Sequence, residues 1–137
     1  MSIDFSSIYR FRDLIDLSVC LHIYNACNGN QFDCCTGSDF VNFLNLKETT
    51  QPIKVKERKG LQLMYLIHKL LDFIPTEEMK VIWRDEMLKK CGITYDYYDS
   101  HKGDFDREDD ELTKRNKDYR NAILKALKRA RKCFDDD

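Results

Sequence analysis

The amino-acid sequence predicts an all-α protein, a small helical bundle built on a central helical hairpin with a long amphipathic C-terminal helix. Apolar residues recur at spacings of three and four through most of the chain, which is the period of one helix face. Glycine and proline are rare, five and two among 137 residues, whereas a fold of many short strands needs them in its turns. This length fits one domain. Within the domain 1–137 we expect core helices at 1–92, an aromatic and acidic connection at 93–111, a basic helix at 112–134 and a tail at 135–137.

Composition and charge narrow the classes of protein. The 23 basic and 24 acidic residues give a net charge of −1, which predicts no general attraction to nucleic acid or anionic membrane. The longest apolar runs are too short to cross a bilayer. The segment Met1–Ser7 lacks the basic region and apolar stretch of a signal peptide. We therefore expect a cytoplasmic protein with no membrane partner.

The first helix is predicted to begin after Ser6 or Ser7 and to run to about Cys27. It ends there because Asn28-Gly29-Asn30 follows, and Gly and Asn tolerate left-handed geometry. A second apolar band indicates that this helix is covered on most sides. Its main stripe comprises Ile8, Phe11, Ile15, Val19, Ile23 and Ala26, and the second band Leu14, Leu17 and Leu21.

Cysteines make the densest cluster of potential metal ligands near the end of this helix. Their spacing, Cys-x6-Cys-x6-Cys-Cys, differs from the paired Cys-x2-4-Cys pattern of zinc sites. Without a secretion signal, the six cysteines of the chain are expected to be reduced thiols. We expect no metal and no cofactor. The weak metal candidates are Cys20, Cys27, Cys34 and Cys35.

A short second helix is predicted to follow, capped by Ser38 or Asp39. Its many apolar residues between Phe40 and Leu46 must be docked onto other helices. The polar connection 47–59 is basic, and alternation around Ile53 and Val55 allows a short edge strand there.

The central hairpin spans Gly60–Gly92. Proline at 75 ends its first helix, because proline disfavours helical geometry in the residue before it. Thr76 is a good N-cap for the second helix, and Gly92 sits where a C-terminal glycine stop is expected. Trp83 and Leu70 should be among the most buried side chains. The two apolar faces comprise Leu63, Leu66, Ile67, Leu70 and Ile74, then Met79, Ile82, Trp83 and Met87.

One resemblance spans residues 38–98. The resemblance rests on the following segments, in this order: Phe43-Leu44-Asn45-Leu46, a basic connection, Met64-Tyr65-Leu66-Ile67-His68-Lys69-Leu70, Ile82-Trp83 and Cys91-Gly92-Ile93. This order resembles a loose group of small uncharacterised helical proteins that are common in mobile elements and genomes of gut Bacteroidetes. The resemblance implies a possible mobile-element association and no known activity.

Polar residues of the hairpin give little sign of catalysis. His68 and Asp72 lie one helical turn apart and would suit an oriented imidazole. No second catalytic group is placed beside them, so we expect an ordinary surface pair and a protein that is not an enzyme.

Three tyrosines in four residues follow the hairpin, at Tyr95, Tyr97 and Tyr98, among aspartates. Tyrosine supplies contact area at interfaces at low entropy cost, which favours a protein-interaction surface. An equally open interpretation is a loop whose rings pack across the end of the hairpin.

The C-terminal segment combines an acidic start with a basic helix. Residues 104–111 carry six acids, and 112–132 carry nine bases. The helix dipole rewards this order without any ligand, yet the uninterrupted basic face also suits phosphate contacts. The possible phosphate contacts are Lys114, Lys117, Lys125, Lys128 and Lys132.

The apolar stripe of this helix runs from Leu112 to Phe134 and needs a partner. Either the hairpin of the same chain or a second copy would cover it, so a homodimer is one expectation. The leading functional hypothesis is a small cytoplasmic protein-interaction or regulatory protein with a protein partner. The alternative is a nucleic-acid-binding protein that uses the basic face of the last helix.

Overall fold

The computed structural model describes residues 14–135, with side chains to residue 131. Within that range it contains seven α-helices and no strand, which confirms the all-α class. Two short 3-10 turns, Leu71–Phe73 and Asp104–Asp106, join helices. The helices are α1 (Leu17–Cys27), α2 (Gly37–Leu44), α3 (Gly60–Leu70), α4 (Glu77–Cys91), α5 (Tyr95–His101), α6 (Glu111–Arg115) and α7 (Lys117–Asp135).

Helix α1 begins later than the sequence pattern predicts. Leu14 and Ile15 precede it in a bend, and Asp16 caps it by accepting a hydrogen bond from the Ser18 amide at 2.9 Å. A continuous helix from Ser6 or Ser7 is therefore wrong at this point, and the earlier part of that prediction lies outside the described residues. An aspartate at the N-cap satisfies helix amides that would otherwise be unpaired, which fixes the start.

The sides of α1 are covered unequally. Val19, Cys20 and Ile23 are fully buried, whereas Leu17 and Leu21 remain 50% and 40% exposed. The prediction that most sides of this helix are covered is therefore only partly right. The predicted break after the helix is present, because Gly29 adopts a left-handed φ of 77°.

The N-cap of helix α2 lies two residues before Ser38 and three before Asp39, the two predicted caps. Thr36 is the N-cap, and its hydroxyl accepts a hydrogen bond from the Asp39 amide at 3.1 Å. Asp39 instead turns its carboxylate to the following connection and accepts hydrogen bonds from the amide and hydroxyl of Thr50, both at 2.8 Å. Phe40 and Leu44 are buried, as docking of this short helix requires.

The central hairpin forms with the predicted caps. Thr76 accepts a hydrogen bond from the Met79 amide at 3.1 Å, and Gly92 ends α4 in the left-handed region at φ 69°. Leu70 and Trp83 are both fully buried, as predicted. The first helix of the hairpin ends at Leu70, and a 3-10 turn replaces its predicted last turn.

The predicted edge strand reduces to a single bridge. Val55 pairs with Phe32, flanked by hydrogen bonds of 2.9 Å from the Asp33 amide to the Lys54 carbonyl and from the Lys56 amide to the Gln31 carbonyl. This bridge links the basic connection 47–59 to residues 28–36 between α1 and α2 (the cysteine loop), which contain Cys34 and Cys35. In the described range, no helix is long and apolar enough to span a membrane.

The C-terminal segment is two helices rather than one. Asn116 separates α6 from α7, and its side-chain amide donates to the Leu112 carbonyl at 2.8 Å. Its side-chain oxygen accepts from Gln62 Nε2 at 2.8 Å. A long-range hydrogen bond thus holds the break in place.

The apolar stripe of α7 packs mainly on α1. At its start, Tyr119 also contacts the hairpin, since its hydroxyl donates to the Gln62 carbonyl at 2.6 Å. Ile123 and Ala130 are fully buried, and Ala126 and Leu127 are 7% exposed. Because the same chain covers this stripe as far as Ala130, that part of the stripe does not argue for a second copy.

Candidate protein-interaction surface

Helix α5 distributes the three tyrosines to different environments. Thr94 caps the helix by accepting from the Tyr97 amide, so the predicted connection 93–111 contains ordered helix. Tyr98 is only 1% exposed and belongs to the core, which corrects its assignment to an interaction surface. Tyr95 and Tyr97 are 45% and 51% exposed. Two of the three predicted interaction tyrosines therefore reach the surface.

Tyr95 lies at the rim of an open groove between α4 and the start of α5. The groove has a volume of about 380 Å³. Leu88, which is 3% exposed, gives it an apolar base, and Ile93 adds to that base. Charged groups surround the apolar part. The lining residues are Arg84, Asp85, Leu88, Lys89, Ile93 and Tyr95.

The rim of this groove is held in a fixed geometry. The Arg84 guanidinium carbon lies 4.6 Å from the centre of the Tyr95 ring, a cation–π contact. The same guanidinium donates to Asp85 Oδ1 from Nε at 3.0 Å and from a terminal nitrogen at 2.9 Å. Tyr95 also packs against buried Tyr98 at 6.2 Å between ring centres. These contacts fix the orientation of an exposed aromatic ring.

Tyr97 occupies a separate site on the same helix. The centre of its ring lies 4.6 Å from that of His101, with the two rings tilted by 55°, and His101 Nδ1 lies 2.7 Å from Asp104 Oδ2. Tyr97 does not line the Arg84–Tyr95 groove. The structure thus separates the two exposed tyrosines rather than joining them into one patch.

Sequence reasoning missed the α4 side of this groove. Arg84 and Asp85 face it, and Val81, one turn earlier on α4, is 45% exposed. An apolar valine on the side of α4 opposite to the predicted stripe was the available signal, since residues four apart share a helix face. The predicted stripe around Trp83 lies on the buried face of α4.

The predicted phosphate contacts lie on two helices. Lys117, Lys125 and Lys128 are exposed on α7, but Lys114 lies on α6 beyond the break at Asn116. The side chain of Lys132 lies outside the described residues. The prediction that one helix carries these lysines on an uninterrupted basic face is therefore wrong, because that helix is interrupted at Asn116.

The four candidate metal ligands are not gathered into a site. Cys20 and Cys27 are buried in α1, whereas Cys34 is exposed and Cys35 half-buried. Among residues 14–131, no three His, Cys, Asp or Glu side chains form a group that could hold a metal ion. Burial raises the pKa of Cys27 to about 12, which favours its neutral thiol.

Hydrogen bonds of Tyr24 and Asn28 determine the conformation of the cysteine loop. The Tyr24 hydroxyl donates to the Cys35 carbonyl at 2.6 Å, and the Cys35 amide donates to Asn28 Oδ1 at 2.9 Å. The side-chain nitrogen of Asn28 in turn donates to the Tyr24 hydroxyl at 3.2 Å. This network fixes the backbone between α1 and α2.

The expected surface pair of His68 and Asp72 does not form, and His68 is half-buried. Asp72 lies 3.6 Å from Arg131, and His68 Nδ1 is buried with no hydrogen-bond partner among the described residues. Burial is the main reason that the pKa of His68 is lowered, and Lys69 and Lys102 lower it further. The described residues therefore give His68 no partner that would orient it for proton transfer.

Comparison with known proteins adds no relative, since no family model, curated protein or solved structure matches this chain.

Proposed function

We propose that this is a small cytoplasmic protein-interaction protein with a regulatory role, which binds a segment of a partner protein in the Arg84–Tyr95 groove. The observation that carries the proposal is the half-exposed Tyr95 ring, stacked on Arg84 at the rim of an apolar-based groove. Tyr and Arg are enriched among the few residues that dominate binding energy at interfaces.

Preorganisation supports this assignment. Binding normally costs entropy when side chains at an interface become ordered. Arg84 is already held by Asp85, and Tyr95 by Arg84 and Tyr98. The rim can therefore engage a partner with little further ordering.

The groove also indicates the chemistry of the partner. Leu88 and Ile93 offer an apolar surface, while Arg84 and Lys89 outnumber Asp85 among the charged lining residues. A complementary segment would present an apolar side chain next to a carboxylate. Association with mobile elements, implied by the resemblance across residues 38–98, belongs to the same proposal.

The test is affinity capture from native cells with nuclease treatment, followed by titration of the purified partner. Tyr95→Ala should weaken binding by about 30-fold or more, the effect of a residue at the centre of an interface. Tyr97→Ala is the matched control, because it removes an equally exposed tyrosine from the same helix outside the groove.

The two variants make the outcomes distinct. Loss with Tyr95→Ala and retention with Tyr97→Ala, together with weakening by Arg84→Gln, would support the proposal. Equal binding by all variants, or equal loss in both tyrosine variants, would contradict it. Release of the captured partner by nuclease treatment alone would indicate that nucleic acid links the partner to this protein, which would also contradict the proposal.

Nucleic-acid binding by α7 is the second candidate function. Lys117, Lys125 and Lys128 are exposed, and no carboxylate of the described residues lies within ion-pair distance of them. Changing all three to Gln should weaken duplex binding and reduce its log–log salt slope by up to about three. Absence of duplex binding by the unaltered protein at physiological salt would remove this candidate.

A further inference from the structure

A second groove lies between α1 and α7, on a different part of the molecule from Tyr95. Its volume is about 220 Å³, which is below the roughly 300–1,000 Å³ of pockets for drug-sized ligands. A small chemical group fits this space better than a large apolar ligand. The lining residues are His22, Asn25, Ala26, Ala122, Lys125, Ala126 and Arg129.

Side chains that can donate hydrogen bonds surround this groove on both helices. Helix α1 contributes His22 and Asn25, and helix α7 contributes Lys125 and Arg129, one turn apart. Arginine forms paired hydrogen bonds to phosphate oxygens, and lysine adds a compact positive charge. An anionic group in the groove would therefore meet donors from two directions.

The remaining lining is small and carries no negative charge. Ala26, Ala122 and Ala126 leave room between the helices, and no Asp or Glu lines the groove. Asp118 is one turn before Ala122 on α7 and is not part of the lining. In the described chain, neither Lys125 nor Arg129 forms an ion pair with a carboxylate.

We infer that the α1–α7 groove binds a phosphate group, held by Lys125 and Arg129 with His22 and Asn25 as further donors. Only Lys125 among the predicted phosphate contacts belongs to this site, and Arg129 replaces the lysines of the outer face. The inference is independent of protein binding at the Arg84–Tyr95 groove. The phosphate could belong to a nucleotide or to a nucleic-acid strand, since both present the same oxygens.

Amide chemical shifts of the ¹⁵N-labelled protein provide the test. Inorganic phosphate, ATP and a short DNA duplex are titrated separately at matched ionic strength. With at least one probe, we expect saturable shifts centred on Asn25, Ala26, Ala122 and Ala126. Saturation by phosphate or ATP identifies a small ligand, and saturation by the duplex alone identifies a nucleic-acid backbone.

Two double variants distinguish phosphate binding in the α1–α7 groove from general electrostatic attraction to the basic surface. Lys125→Gln with Arg129→Gln should weaken the saturable binding about tenfold or more. Lys54→Gln with Lys90→Gln removes the same charge from exposed positions on other elements, outside the groove, and should change it less than about threefold. Equal weakening by both pairs, or no saturable shift with any probe, would overturn the inference. Because the four side chains are exposed, circular dichroism should show an unchanged fold.

Discussion

The indole nitrogen of Trp83 donates a 2.7 Å hydrogen bond to the backbone carbonyl of Leu44. This contact joins the middle of α4 to the last residue of α2, and both residues are buried. The carbonyls of the last helical turn have no partner within their own helix. The only tryptophan of the chain therefore both fills the core and completes the end of a neighbouring helix.

Trp83→Phe tests this contact. Phenylalanine keeps most of the apolar surface but removes the N–H donor, which leaves a buried carbonyl without its partner. We expect a loss of about 1–3 kcal/mol in the free energy of unfolding, measured by urea denaturation followed by circular dichroism. Val81→Ala on the exposed side of the same helix should cost about 0.5 kcal/mol or less.

Leu70→Ala tests the central hairpin. Leu70 is fully buried, so its truncation removes apolar contacts and leaves a cavity. The expected loss is about 2–5 kcal/mol in the free energy of unfolding. Leu124→Ala serves as a control, because Leu124 is 42% exposed. A loss below about 0.5 kcal/mol for Leu70→Ala would place this face in solvent and contradict the architecture.

The caps of the hairpin were predictable because they depend on neighbouring residues. Thr76 hydrogen-bonds an amide three residues later, and Gly92 supplies the left-handed geometry that ends α4. The neighbouring residues do not by themselves determine the N-cap of α2. Thr36 caps this helix, although Ser38 and Asp39 are residue types that are equally able to cap a helix. The choice follows from Asp39, whose carboxylate is already committed to Thr50.

Features that depend on distant residues were not predictable. Asn116 interrupts the last helix through Gln62, which is 54 positions away in the chain. Tyr98 is buried because α5 packs against α3. The covering of α7 by α1 joins the two ends of the described chain. Periodicity identifies an apolar face, but it cannot identify the helix that covers that face.

The candidate interaction site was also predictable only in part, because some of its features depend on residues that are distant in the sequence. The sequence predicted surface tyrosines, and Tyr95 is one, but it gave no sign that Arg84 would stack on that ring. Such a contact requires α4 and α5 to meet at a particular angle after Gly92. Composition indicated the type of surface, and the turn between two helices decided which tyrosine forms it.

Cysteine labelling tests the environment of the thiols. Among the cysteines whose side chains the structure describes, Cys34 is the exposed one and should react first with iodoacetamide in the folded protein. Burial raises the pKa of Cys27 to about 12, so this fully buried thiol should react only after unfolding. Cys91 is half-buried and its pKa is raised to about 11, so it should react more slowly than Cys34. Peptide mass spectrometry measures the labelling, with denatured protein as control. Faster labelling of Cys27 than of Cys34 would contradict the buried position of Cys27.

His68 should make stability sensitive to mild acid. Its pKa is lowered from 6.5, chiefly by burial and then by Lys69 and Lys102, while Asp106 and Asp72 partly oppose this. The folded state therefore binds a proton less readily than the unfolded chain. The stabilising contribution is complete above a pH of about 6.5 and is lost as the pH falls below that value toward the folded pKa.

His68→Gln isolates this contribution, because glutamine retains a polar side chain without titrating in this range. Unfolding free energies at several pH values between about 7.5 and 5 should fall more steeply for the unaltered protein than for the variant. All other titrating groups are shared by the two proteins, so the difference between the curves reports His68 alone. Parallel curves would mean that this histidine is as accessible to protons in the folded state as in the unfolded chain, against the burial of its ring nitrogen.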